Sequence, residues 1–146
     1  MNVIKFGGSS ISNPQNINKV IDIISGYNIS CVIIFSAIGN TTDQLIKCGK
    51  LAGKRNQDYK NILSEIKENH IEICSNLFEY NNQSEILSFV QTKLNKLENI
   101  LEGIYNLKEF SEKTYDNVSG FGEILSYNII GNLCQQKGSQ SLQLSP

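Results

Sequence analysis

The first ten residues carry groups that could bind an anion. Residues 3–6 form a short apolar run that contains Lys5, and the sequence Gly-Gly-Ser-Ser follows it at 7–10. Glycines at a turn let backbone N–H groups come close together, and a helix N-terminus soon afterwards adds a partial positive charge. The Lys5 ammonium could act as a point charge on the same phosphate. The pattern predicts a phosphate-binding turn, although an ordinary strand-to-helix turn with a surface lysine would use the same residues.

A second turn of small residues occurs at 36–43, where the sequence is SAIGNTTD. Small residues let backbone amides approach a ligand, and a hydroxyl or carboxylate from Asn40 to Asp43 can cap the helix that follows. An ordinary capped helix start remains an alternative for this segment.

The third candidate is Glu123, which lies among Gly120, Gly122 and Gly131 in a predicted helix over 116–136. Each glycine costs about 1 kcal/mol relative to alanine inside a helix. Their presence suggests the close approach of a ligand or of another backbone. Glu123 could face that ligand, or it could be a solvated surface carboxylate.

The elements that must position these residues begin with a strand at 2–6, a helix at 14–25 and a strand at 31–36. Asn13 and Pro14 are favoured at a helix start, and Gly26 is a plausible C-cap. Residues 31–35 are apolar without alternation, which is typical of a strand covered on both faces in a parallel sheet. Ligands bind beyond the carboxyl ends of such strands, where both turns fall. A third strand is expected to begin at 141–144.

A long helical hairpin is predicted over 57–107, with its turn at Asn81-Asn82. Two apolar seams support it, namely Tyr59, Leu63, Ile66, His70, Cys74 and Leu77, and then Leu87, Val90, Leu94, Leu97, Leu101 and Ile104. Such helices should pack antiparallel. His70 lies on the first seam, which favours a packed histidine over a catalytic one. Ser111 or Thr114 could cap the helix that follows the hairpin.

Length, charge and cysteine spacing exclude several classes of protein and of binding site. The chain has 146 residues, which predicts one domain, and its formal charge of −1 argues against binding to nucleic acid or to an anionic membrane. Arg55 is the only arginine, so an anion site must use lysine and backbone amides. The four cysteines are too widely spaced for a redox or zinc motif and are expected to be free thiols. With no signal peptide or membrane span evident, the sequence predicts a soluble, cytoplasmic protein.

Three segments together resemble the aspartokinases of the amino-acid kinase family. They are KFGGSS at 5–10, VIIFSAIGNTTDQL at 32–45 and DNVSGFGEILS at 116–126. The run LEGIYNLKEFSEKTYDN is similar to aspartokinases that are fused to homoserine dehydrogenase. The resemblance implies a parallel-sheet α/β sandwich of the amino-acid kinase type with an inserted helical hairpin. Residues 1–146 would form about half of that domain, its N-terminal, amino-acid substrate part.

The resemblance also implies an activity and a set of roles. The reaction is transfer of the ATP γ-phosphoryl group to the β-carboxylate of L-aspartate, with Mg²⁺, in a homo-oligomeric enzyme. Thr42 matches a threonine that contacts the amino acid, Ser36 lies in the same loop, and Glu123 matches a glutamate that accepts hydrogen bonds from the substrate ammonium. The phosphate side would consist of Lys5, which is also the catalytic candidate, with Gly7, Gly8 and Ser9.

Two departures from the family pattern and two rival functions stay open. Gly120 stands where relatives more often have Ser or Arg, and Ile124 replaces a frequent Arg, so those side-chain contacts are missing. A glutamate or acetylglutamate kinase would share the Lys5 turn but lack the Thr42-Asp43 and Gly122-Glu123 blocks. The chain could also be an inert fragment or an interaction domain that acts through its hairpin.

Overall fold

The computed structural model describes residues 2–27 and 30–138, and this part is mostly helical around a pair of parallel strands. Strand β1 (Asn2–Phe6) pairs in parallel with β2 (Cys31–Phe35), with Asn2 opposite Cys31 and Phe6 opposite Phe35. The predicted strand–helix–strand order is confirmed, and β2 ends one residue before its predicted end. The third strand expected at 141–144 lies outside the described residues.

Helix α1 (Pro14–Ser25) connects the two strands and begins as predicted. The Asn13 side chain accepts a hydrogen bond of 2.8 Å from the Asn16 backbone N–H, and Pro14 occupies the first helical position. Gly26 is the C-cap. The i, i+3, i+4, i+7 spacing of Ile17, Val20, Ile21 and Ile24 predicts one apolar face on this helix. The first three are buried in the core, and Ile24 is partly buried and packs against it.

The two faces of the sheet differ in their exposure. The stacked rings of Phe6 and Phe35, whose centroids are 5.9 Å apart, pack against the core. On the opposite face Val3 is 60% exposed and Ile34 is 46% exposed. The sequence predicted a sheet that is covered on both faces. Within the described residues, helices cover only the face that carries Phe6 and Phe35, so this prediction is not met there.

The predicted helical hairpin follows helix α2 (Thr41–Gly53) and consists of α3 (Tyr59–Leu77) and α4 (Tyr80–Leu107). Tyr59 at the start of α3 contacts Tyr105 near the end of α4, so the two helices run antiparallel. Lys67 and Glu98 form a salt bridge of 2.6 Å between them. The turn lies at residues 78–79 and not at the predicted 81–82, since buried Phe78 ends α3 with extended backbone.

His70 is fully buried within α3, as expected for a packed histidine. Its Nδ1 lies 2.8 Å from the Ile66 carbonyl oxygen, and its Nε2 finds no hydrogen-bond partner within residues 2–27 and 30–138. Burial lowers the pKa of the His70 imidazole below its usual 6.5, and the hydrogen bond to Ile66 opposes this effect in part. The folded protein therefore favours the neutral imidazole.

This burial predicts a loss of stability in mild acid. As the pH falls below about 6.5, the unfolded chain binds a proton at His70 that the folded chain does not, so the free energy of unfolding decreases until the folded pKa is reached. The loss can reach about 1.4 kcal/mol per pH unit. Urea unfolding of the protein and of its His70→Leu variant at about pH 7.5 and about pH 5.5 measures it. Wild type should lose more stability than the variant, and equal losses would show that His70 does not carry the effect.

The single helix predicted over 116–136 is wrong. The structure has two helices, α5 (Glu112–Ser119) and α6 (Phe121–Gln136), separated by Gly120. Ser111 caps α5 by accepting a hydrogen bond from the Thr114 backbone N–H, which confirms one of the two predicted caps. Gly120 is both the C-cap of α5 and the N-cap of α6.

Three of the four cysteines are buried free thiols, as predicted. Burial raises the pKa of Cys48 and of Cys74 to about 12 and also raises the pKa of Cys134, so these thiols are poor nucleophiles. Cys31 is half-buried. None of the described helices is both long and apolar enough to cross a membrane.

Candidate functional site

The two glycine-containing turns meet at the carboxyl ends of β1 and β2. The Ser36 backbone N–H donates a 3.1 Å hydrogen bond to the Phe6 carbonyl oxygen, and the Gly39 N–H donates one of 3.1 Å to the Gly8 carbonyl oxygen. Backbone hydrogen bonds between the two segments thus continue beyond the strands into the turns that follow β1 and β2. This edge of the sheet is where a parallel α/β fold binds its ligands.

The two glycines of the first turn have different surroundings. A Cβ on Gly8 would lie 2.4 Å from the Gly39 carbonyl oxygen and 2.8 Å from that of Ala37, whereas a Cβ on Gly7 would have nothing within 4 Å. Glycine is therefore required at position 8 by the close approach of the second turn. The open space at Gly7 leaves room for a ligand beside the backbone.

Lys5 extends from β1 at the edge of this junction. Its side chain is exposed, and it forms no hydrogen bond or ion pair with any other described residue. Ser9 is also exposed. The element after the turn is a short 3₁₀ helix (Gly8–Ile11), and α1 then starts at Pro14, as predicted. An exposed ammonium beside a backbone turn can attract an anion.

The second turn positions two threonines differently. Gly39 has a φ of +57°, a left-handed conformation that favours glycine. Thr41 is buried and donates a 2.6 Å hydrogen bond from its Oγ1 to the Ile38 carbonyl oxygen. Thr42 and Ser36 stay partly exposed. Thr41, whose hydrogen bond to Ile38 stabilises the turn, was not singled out from the sequence. The two adjacent threonines at 41 and 42 were the feature that could have drawn attention to it.

The start of α6 packs directly onto the second turn. A Cβ on Gly122 would lie only 2.5 Å from the Ala37 Cβ, so these two residues are in close contact. The predicted close approach at a helix glycine is confirmed here. Glu123 follows in the first turn of α6 and is partly buried, and its carboxylate has no hydrogen-bond or ion-pair partner within residues 2–27 and 30–138. Its backbone carbonyl oxygen accepts a 3.1 Å hydrogen bond from the Ser126 hydroxyl group. Its carboxylate is available to a cationic group.

The structure thus brings together the three segments that the sequence singled out. The turn after β1 contributes an ammonium and backbone amides, the turn after β2 contributes hydroxyl groups, and α6 contributes a carboxylate. This set can bind a ligand that has both anionic and cationic groups. The described residues include no cluster of three or more His, Cys, Asp or Glu side chains that could hold a metal ion.

A shallow depression of about 400 Å³ lies elsewhere, at the start of α5. It is lined by Phe110, Ser111, Glu112, Tyr115 and Asp116. No predicted site residue lines it. The strand ends, where several predicted groups converge, are the better candidate site.

Comparisons with known proteins show which proteins the whole chain is similar to. A protein-family model described as the amino acid kinase family matches residues 1–146. Aspartokinase 1, chloroplastic, of Arabidopsis thaliana is 35% identical over 145 residues, which cover 97% of this chain and 24% of that protein. The bifunctional aspartokinase/homoserine dehydrogenase of Buchnera aphidicola is 28% identical and covers 100% of this chain and 18% of that protein. Both monofunctional and bifunctional aspartokinases therefore occur among the relatives.

Solved structures share the fold. Escherichia coli aspartokinase III in complex with aspartate and ADP superposes with a TM-score of 0.85 at 19% identity, covering 97% of this chain and 30% of that one. The aspartate kinase of Clostridium acetobutylicum gives a TM-score of 0.72 at 25% identity, covering 92% and 29%. The predicted α/β kinase fold is confirmed by these matches. This chain spans about a quarter or less of the length of the curated relatives.

Proposed function

Because the chain belongs to the amino acid kinase family, we propose that it is part of an aspartate kinase, which converts ATP and L-aspartate into ADP and 4-phospho-L-aspartate. The observation that carries this proposal is the junction at the strand ends, where Lys5, Thr42 and Glu123 lie on three segments joined by direct contacts. The aspartokinases among its relatives support this choice of acceptor.

The phosphate side of the proposed site is the turn after β1. ATP and the acceptor carboxylate are both anionic, so catalysis must mainly neutralise and align them. Lys5 supplies an exposed ammonium that pairs with no other residue in the described part of the chain. The open backbone at Gly7, with Gly8 and the exposed Ser9, offers polar contacts to phosphate oxygens. Mg²⁺ would arrive bound to ATP, since Mg²⁺ is commonly held by substrate phosphates together with few protein ligands.

The aspartate side is the turn after β2 together with the start of α6. The Glu123 carboxylate would accept hydrogen bonds from the substrate ammonium, which are stronger than hydrogen bonds between neutral groups. Thr42, with Ser36 in the same turn, would bind the α-carboxylate. Held at both of these groups, aspartate would present its β-carboxylate to the phosphate.

Residues 1–146, including the hairpin predicted over 57–107, would form the amino-acid-binding part of the catalytic domain and carry only part of the active site. The relatives are about four or more times longer than this chain, which supports the view that other residues bind the adenine. We further propose a cytoplasmic homo-oligomer whose product leads to lysine, threonine and methionine.

Exchange of the aspartate-side residues tests the proposal. Glu123→Gln and Thr42→Val in the full-length protein should raise the KM for aspartate by about tenfold to a hundredfold, as expected for losing a hydrogen bond to a charged group. The KM for ATP should change little, because the lost contacts are to a part of aspartate that does not react. Steady-state kinetics with aspartate and ATP varied separately measures both values.

The matched control is Glu72→Gln, which removes an exposed carboxylate from the helical hairpin and should leave both KM values unchanged. A selective rise in the KM for ATP in the Glu123 or Thr42 variants would place these residues on the phosphate side and contradict the proposed arrangement.

A further inference from the structure

We infer that Ala37 is a positioning residue whose methyl group, packed against Gly122, sets where Glu123 lies relative to the turn after β2. The inference rests on the proposed function, because it concerns the aspartate side of the same site. Ala37 is 2% exposed and directly follows Ser36. Its side chain faces Gly122, and its carbonyl oxygen faces Gly8, so one small residue contacts both of the other segments.

The contact between Ala37 and Gly122 is too short to accept another methyl group. A Cβ on Gly122 would lie 2.5 Å from the Ala37 Cβ, whereas carbon atoms that are not bonded pack at about 3.5–4.0 Å. An alanine at position 122 would therefore have to move the start of α6 by roughly 1 Å or more. Glu123 is the next residue in the chain and would move with it.

The same geometry shows that the methyl group can be exchanged between the two positions. Apart from the Ala37 Cβ, the nearest atoms to a Cβ on Gly122 are the Leu45 Cδ1 at 3.5 Å and the Ala37 Cα at 3.7 Å, both at ordinary contact distances. Removing the Ala37 methyl group would thus make room for one on residue 122. One methyl group between the turn and α6 is the feature that the site requires.

A shift of Glu123 should weaken the binding of aspartate more than the binding of ATP. A misplacement of about 1 Å in a positioned group can cost up to about a hundredfold in activity. Because Glu123 would contact the ammonium group, which does not react, the loss should fall mainly on the KM for aspartate.

The experiment compares Gly122→Ala, Ala37→Gly and the double variant Ala37→Gly/Gly122→Ala in the full-length protein. Gly122→Ala should raise the KM for aspartate at least about tenfold with little change in the KM for ATP, and the double variant should return to within about threefold of wild type. Ala37→Gly alone leaves no methyl group at this contact, so it should also raise the KM for aspartate, and the double variant should lower that KM again. Gly103→Ala is the matched control, since a Cβ there would meet nothing within 4 Å and should change neither KM.

Two outcomes would overturn the inference while leaving the proposed function intact, namely a wild-type KM for aspartate in Gly122→Ala or a defect that persists in the double variant. If Gly122→Ala does not fold, the double variant decides, because a folded protein with a near-normal KM supports the exchange and a raised KM refutes it. Failure of wild type itself to turn over aspartate would instead refute the proposed function, and the inference would fall with it.

Discussion

Lys5→Ala in the full-length protein is expected to lower kcat by about a hundredfold or more, on the scale of removing one group that stabilises charge in the transition state. Phosphoryl transfer between two anions requires positive charge at the phosphate, and Lys5 is the basic residue next to the glycine turn. Its side chain is exposed and makes no hydrogen bond or ion pair with any described residue. Its loss should therefore change the free energy of unfolding by no more than about 0.5 kcal/mol.

Steady-state kinetics together with thermal unfolding checks this prediction. Lys19→Ala is a suitable control, because Lys19 is an exposed lysine on α1 away from the strand ends, and its loss should alter neither turnover nor stability. A Lys5→Ala protein with wild-type turnover would remove Lys5 from the site. A protein that unfolds at lower temperature would show a structural role instead.

Gly8→Ala should be far more damaging than Gly7→Ala. The new Cβ would lie 2.4 Å from the Gly39 carbonyl oxygen and 2.8 Å from that of Ala37, and backbone atoms cannot move away cheaply. Overpacking of this kind typically costs about 1–3 kcal/mol of stability. Because the two turns would separate by roughly 1 Å, turnover should also fall by up to about a hundredfold.

Gly7→Ala is the matched control for stability. Gly7 has a φ of −78° and a ψ of 166°, which alanine adopts readily, and its Cβ would meet nothing within 4 Å. Thermal unfolding of the two variants side by side should show a loss for Gly8→Ala alone. Equal melting temperatures would mean that the two turns do not depend on each other at this contact.

Sequence patterns predicted the helices whose ends and packing faces are determined by residues close together in the chain. The Asn13-Pro14 start of α1 followed from capping preferences, and the two apolar seams predicted both helices of the hairpin. The same signals misplaced the hairpin turn, because Asn81 and Asn82 resemble a turn but lie in the first turn of α4. Buried Phe78 ends α3 through its packing in the core, which local propensity does not report.

Contacts between distant segments could not be predicted in this way. The helical pattern continues through Gly120, so the sequence gives no sign that α5 and α6 are separate. Motifs identified Gly7, Gly8 and Glu123 as candidates, but only the fold distinguishes a glycine with an open side from one that is packed against Gly39. The contact between Ala37 and Gly122 likewise depends on how α6 crosses the end of β2.

The acceptor that becomes phosphorylated is the most direct test of the proposed function. The full-length protein would be incubated with MgATP, hydroxylamine and one of three acceptors, L-aspartate, L-glutamate or N-acetyl-L-glutamate. Hydroxylamine displaces phosphate from an acyl phosphate, so each phosphorylated acceptor is trapped as its hydroxamate and can be identified by mass spectrometry. The proposed site predicts the β-hydroxamate of aspartate, with much less of it from the Glu123→Gln and Thr42→Val variants when aspartate is held below the wild-type KM. Hydroxamate from glutamate or N-acetylglutamate, with none from aspartate, would contradict the account.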